Sequence, residues 1–133
     1  MALQFATSLR NTQMDAIPSA AGATAKLLIA TGSPPANCAA ADSGTALITI
    51  TLPASYFNAA SSGAITKTGT WSGTASGGAA STPGYFRLKD NAGTTTYMQG
   101  TCAIGSGDLS FDGTITSGQT VTVSTFTVTA GGA

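Results

Sequence analysis

The chain has 133 residues, enough for one hydrophobic core and too few for two. Five Lys and Arg offset five Asp, and charged residues make up 8 % of the chain, against about a quarter in ordinary soluble proteins. The charges are scattered singly, which leaves no electrostatic footprint for nucleic acid or for an anionic membrane. Histidine and Glu are absent, so zinc and non-haem iron sites lose their usual ligands.

Residues 1–23 are the segment with helical spacing. Phe5, Leu9 and Ala16 with Ile17 recur on one side, Thr7 or Ser8 supplies an N-cap, and Pro18 followed by Gly22 ends or bends the helix. The pattern predicts an N-terminal helix or arm over 1–24 ahead of a β-domain over 25–133. Such a helix either covers an open end of the β structure or docks on a neighbouring subunit. The first residues lack the basic and apolar stretches of an export signal, and Lys26 interrupts the longest apolar run, so neither export nor a membrane span is expected.

Residues 26–31 read as a first strand, stopped by Gly32-Ser33-Pro34-Pro35 and followed by a long Ala-rich loop to Ser43-Gly44. Residues 46–52 alternate cleanly, with Ile48, Ile50 and Leu52 on one face and Thr49 and Thr51 on the other. Pro53 ends that strand, Tyr56-Phe57 plugs an edge of the core, and residues 64–71 begin another strand. The Gly/Ser/Ala run 72–83 reads as a flexible surface loop. Further on, Leu109, Phe111, Gly113 and Ile115 alternate along one strand. In residues 120–129 the apolar set changes phase between Val121, Val123 and Phe126, Val128, which calls for a β-bulge near Ser124-Thr125. About seven strands at this spacing predict an all-β fold, an antiparallel sandwich or jelly roll with a short N-terminal helix.

The centre of the pattern is 85–102, YFRLKDNAGTTTYMQGTC. Asp90-Asn91-Ala92-Gly93 suits a type I turn with Gly93 in the left-handed region, the three-residue hairpin loop with a bulge. That loop pairs Phe86 with Met98 and Leu88 with Thr96. It leaves Arg87 opposite Tyr97 on the other face, with Tyr85 beside them, an outward cluster with the composition of an interface hot spot or of a cross-strand cation–π pair serving the sheet.

Catalytic signals are weak. Asp108 and Asp112 form the one close acidic pair, spaced to share a strand face as general acid and base or as calcium ligands, but ordinary Asp-Gly turn chemistry is the commoner case, and no serine has a base beside it. We expect no enzyme activity, no cofactor and no metal site. Cys38 and Cys102 are too few for a disulfide framework and read either as free, buried thiols or as one long-range bridge.

The segments FATSLRNTQMDAI, LLIATGSPPAN, TALITITLP, YFRLKDNAGTTTYMQGT and SGQTVTVSTFTVTAGG, in this order, resemble a family of small virion proteins of tailed bacteriophages over nearly the whole chain. The resemblance implies a capsid decoration or cement protein, made in the host cytoplasm and bound to the outer capsid surface. Its implied partners are the major capsid protein and copies of itself, with a trimer favoured. Members can also serve in the neck, tail or fibre, so an adsorption module for a host receptor is the alternative. Phe5, Leu9 and Arg10 on the arm and Tyr85, Arg87 and Tyr97 on the hairpin are the expected contacts.

Overall fold

Helix α1 (Thr7–Ala21) precedes nine strands in the computed structural model, which describes residues 3–133. Residues 1 and 2, the start of the expected arm, lie outside the described residues. The helix is capped at Ala6 without a side-chain bond, so the expected Thr7 or Ser8 cap is not used; Pro18 lies inside it, and Gly22 ends it as expected. Its last turn closes through the Gly22 N–H, which donates to the Pro18 carbonyl at 2.9 Å. Met14 and Ile17 pack against the core and Ala21 is buried. Asn11 Oδ1 accepts the Gly63 N–H and Asp15 Oδ1 the Ala60 N–H, each at 2.8 Å. The helix therefore lies as a cover on its own β structure.

The strands are β1 (Lys26–Ala30), β2 (Ala46–Thr51), β3 (Ala64–Thr66), β4 (Trp71–Thr74), β5 (Tyr85–Lys89), β6 (Thr96–Ile104), β7 (Leu109–Phe111), β8 (Thr120–Val123) and β9 (Thr127–Thr129). The fold is β-rich and mainly antiparallel. Its largest sheet has the order β2-β1-β5-β6-β7. Cross-strand partners Leu27 and Ile50, Ile29 and Ile48, Leu27 and Leu88, and Ile29 and Phe86 place the large aliphatic and aromatic side chains on one face, and all are buried in the main core. The opposite face carries Lys26, Leu28, Ala30, Tyr85, Arg87 and Lys89, as the period of two requires.

The remaining strands form a kinked ribbon. Residues 64–66 pair with 127–129 and 71–74 with 120–123, so four residues, 67–70, lie opposite three, 124–126. The phase change read at Ser124-Thr125 is real, but it breaks the strand in two, and the extra residue sits on the partner strand. The expected strand 64–71 is likewise split. The ribbon brings Tyr56, Phe57, Trp71, Phe86 and Phe126 together with ring centroids 5.4 to 6.4 Å apart, in the tilted and edge-on arrangements favoured by aromatic quadrupoles.

Residues 72–83 are not the free loop expected from composition. Ser72–Thr74 belong to β4, the Ser76 N–H donates to the Leu47 carbonyl at 3.0 Å, and Ser81 and Ile115 exchange backbone bonds at 2.9 and 3.1 Å. Gly77 is needed here because the β2 backbone lies against it: a Cβ on Gly77 would sit 2.6 Å from the Leu47 Cα.

The expected strand through Ile115 stops at Phe111, and β7 runs parallel to β6 after a connection of residues 105–108. Parallel neighbours ordinarily need a crossover of a dozen or more residues. Here the chain doubles back, with Cys102 and Gly107 in an antiparallel bridge, and then turns forward to set Leu109 beside Cys102. Gly107, at φ +91, permits the reversal. Asp108 holds it: Oδ2 accepts the Thr101 N–H at 2.9 Å and the Thr101 Oγ1 at 3.1 Å, while the Asp108 N–H donates to that Oγ1.

Candidate protein interface

The β5–β6 hairpin makes the expected turn with a shifted register. The Gly93 N–H donates to the Asp90 carbonyl at 2.9 Å and Gly93 has φ +72. However, the Asp90 carboxylate also captures the N–H groups of Thr94 (2.9 Å) and Thr95 (3.2 Å), so both residues stay in the loop. Leu88 consequently pairs with Met98, Phe86 with Gly100 and Arg87 with Gln99, a two-residue slide from the expected pairs, with a bulge at Leu88/Lys89. A slide of two leaves each side chain on its face. Gly100 shows why this register wins: a Cβ there would lie 2.6 Å from Phe86 Cε1, so the ring occupies the space that glycine leaves. The Asp90 carboxyl is held below its ordinary range, first by the backbone bonds from Thr94 and Thr95.

The expected outward cluster is corrected by burial. Tyr85 is 0 % and Arg87 2 % exposed, because the loop 32–45 lies across them. The Tyr85 hydroxyl donates to the Ser43 carbonyl at 2.6 Å and accepts the Ser43 N–H at 3.0 Å. Arg87 Nη1 donates to the Ala40 carbonyl (2.8 Å) and Asp42 Oδ1 (2.9 Å), Nη2 to the Asn37 carbonyl (3.0 Å), and Nε to Gln99 Oε1 (3.1 Å). Lys89 Nζ reaches Asp42 Oδ2 at 2.5 Å. Tyr85, Arg87 and Lys89 fasten the loop and are buried beneath it. Burial works to raise the Asp42 pKa, but the hydrogen bond and charge of Lys89, and then those of Arg87, bring it below its ordinary value.

Sequence reasoning missed Asp42, although a signal existed. Residues 85–89 carry two cations, Arg87 and Lys89, on one strand face, and the loop 32–45 contains one acidic residue that can pair with them.

Tyr97, at 41 % exposure, is the one member of the cluster left in solvent. On the arm, Leu9 and Phe5 are exposed. The Phe5 N–H donates to the Gly132 carbonyl at 2.7 Å and its ring covers Gly132. Arg10 is half-buried: Nη2 donates to Thr7 Oγ1 at 3.3 Å and its guanidinium lies over Gly63. Leu3 and Ile104 are exposed apolar residues that sequence reasoning did not single out. Helix α1 packs against both β3 and β6, so the arm residues and the β6 residues Tyr97 and Ile104 lie on neighbouring elements.

Cys38 and Cys102 are both free, which settles the open bridge; Cys38 is half-buried and Cys102 buried. Burial, and then the charge of Asp108, push the Cys102 thiol up to about 12. Asp108 is tied to Thr101, and Asp112 is exposed past the end of β7. Among the described residues no group of three or more His, Cys, Asp or Glu gathers around a common point, and no helix is long and apolar enough to cross a membrane. Comparison with protein-family models, with curated proteins and with solved structures finds no match.

Proposed function

We propose that this chain is a non-enzymatic structural subunit of a tailed-phage particle, a decoration or cement protein that binds the outside of the capsid shell and its own copies. The observation that carries the reading is the exposure of Leu3, Phe5, Leu9, Tyr97 and Ile104 on a chain with few charges. Large apolar and aromatic side chains are those that interface centres use, and low charge leaves little repulsion against association. The resemblance to small virion proteins supplies the setting. The finer architecture belongs to the same proposal: a sandwich in which the kinked ribbon faces the main sheet, with Gly73 of β4 close against Ile48 and Ile50 of β2.

Such a subunit works by adding contacts. A partner burying about 800 Å² of it, the ordinary share of a stable interface, covers about an eighth of its 6575 Å² surface. Contacts of that size repeated by symmetry sum to a large resistance against pressure from within. Purified protein added to expanded shells that lack it is expected to bind them and raise their disruption temperature, and removal of residues 1–10 is expected to weaken that binding. Binding to host cells or isolated surface polysaccharide, with no binding to shells, would replace this reading with an adsorption role.

A further inference from the structure

Four of the surface grooves lie in one line, between the outer edge of β7 and the outer edges of β8 and β9. Residues 107–110 share a groove with 125–127, residues 109–112 with 122–125, and residues 111–113 with 119–122. A fourth, between 98–100 and 127–129, continues the line past Asp108. Numbers rise on one side as they fall on the other, so the two edges run antiparallel along a single seam. Their volumes, about 230 to 390 Å³, straddle the bottom of the range for small-molecule sites, about 300 to 1,000 Å³. A linear array of shallow grooves fits an extended chain better than a compact ligand.

The walls of the seam are strands with one unused edge. Among the described residues β7 pairs with β6 alone, β8 with β4 alone and β9 with β3 alone. Native proteins blunt free edges with very short strands, charges or Pro; these edges are short, three or four residues each, but residues 107–113 and 119–129 contain no Lys or Pro. They offer Ser and Thr hydroxyls beside Leu109, Phe111 and Phe126. Asp112 borders two of the grooves, and the ion pairs of the described residues, both centred on Asp42, do not include it.

We infer that the seam takes an extended strand from another protein, carrying a Lys or Arg to meet Asp112. This rests on the reading of the chain as an assembly subunit. Because its walls are antiparallel to each other, the inserted strand adds parallel to one and antiparallel to the other, giving main-chain affinity with side-chain selection by Asp112. Charge assigns the strand to a different protein rather than a second copy. All five cations of this chain are placed on the helix or in the strand regions: Arg10 over Gly63, Lys26 on Thr51, Lys67 on the Gly69 carbonyl, and Arg87 and Lys89 on Asp42. None lies on a free extended segment.

Hydrogen exchange on the full chain tests this with two soluble peptides of roughly eight residues, a strand length, alternating Thr and Val around a central Lys or a central Asp. The Lys peptide is expected to slow exchange at 109–112 and 122–127 by about tenfold or more; the Asp peptide is expected to do so far less, and Asp112→Asn to erase the difference. No slowing in the seam, or equal slowing by both peptides, overturns the inference. So does seam protection that grows with protein concentration alone, which assigns the seam to a second copy. In shell-bound protein, an unprotected seam overturns the inference and spares the decoration reading. A seam that takes the Lys peptide in a protein that ignores shells does the reverse.

Discussion

Arg87 and Asp42, 45 residues apart in the chain, meet at 2.9 Å and hold the loop 32–45 flat against β5. Arg87 is buried while the Asp42 side chain stays 43 % exposed, so the pair is asymmetric. Removing the cation strands two carbonyls as well as the carboxylate. Arg87→Met is therefore expected to cost about 2 kcal/mol or more, the scale of lost hydrogen bonds to a charged group. Asp42→Asn is expected to cost less, about 1 kcal/mol, because exposure screens the carboxylate even though Arg87 and Lys89 lose the one anion that pairs them. Urea midpoints measure both, and the Arg87 variant is expected to become cleavable within 32–45.

Acid is expected to release the same loop. Asp42 has a folded pKa below its unfolded value, so its stabilising effect is fully present above the unfolded value, about 3.9, and is lost as pH falls through the lower folded value. Asp90 shifts in the same direction. Stability measured from pH 6 to pH 2 should fall in the acid limb, with a shallower slope in Asp42→Asn. An unchanged slope would show that Asp42 contributes nothing to acid sensitivity.

Two glycines separate two kinds of cost. Gly93 has φ +72 and open space around its missing Cβ, so Gly93→Val is expected to lose only the conformational term, about 1 kcal/mol or slightly more. Gly84 has no such φ, but a Cβ there would stand 2.0 Å from the Gly32 carbonyl oxygen. Gly84→Ala is expected to cost about 2 kcal/mol or more through backbone displacement, and denaturant midpoints should rank the two variants in that order.

The two hairpin tyrosines should divide stability from binding. Tyr85→Phe removes the hydroxyl that holds Ser43 and is expected to cost about 1 kcal/mol. Tyr97→Ala is expected to change stability by no more than about 0.5 kcal/mol while weakening attachment to shells severalfold, as is Leu9→Asp. Stability loss in Tyr97→Ala matching that in Tyr85→Phe would contradict this division.

Thiol labelling should separate the cysteines. At neutral pH Cys102, buried with its thiol raised to about 12, presents almost no thiolate. Cys38 is expected to react first, and Cys102 only on unfolding.

Much of the β-rich fold was legible because period-two alternation states which side chains share a face. Ile48 and Ile50 in β2, and Phe86 and Leu88 in β5, follow it directly. The same alternation does not say what covers a face. Tyr85 and Arg87 read as outward because their cover, residues 32–45, is distant in sequence. Register was misread because the Asp90 side chain extended the loop by two residues, an effect turn statistics do not contain. Ser72–Thr74 were missed as a strand because Gly and Ser signal loops on average. In β4, Gly73 is small because Ile48 and Ile50 of β2 lie against it. Of the six expected contact residues three are exposed, Phe5, Leu9 and Tyr97, while the loop 32–45 covers Tyr85 and Arg87 and Arg10 lies over Gly63.

The kinked ribbon also sets a timetable. Ala64 meets Thr129 and Trp71 meets Val123, so the first half of the ribbon must wait through the synthesis of β5, β6 and β7 for its partner. Such distant pairings carry a large loop-closure cost and slow the folding rate. During synthesis the aromatic cluster around Trp71 stays open until Phe126 has left the ribosome. A nascent chain stalled before Thr120 should therefore hold β1, β2 and the β5–β6 hairpin together while Trp71 remains quenchable by solvent, and the last ten residues of the ribbon should turn that collapsed chain into a protein.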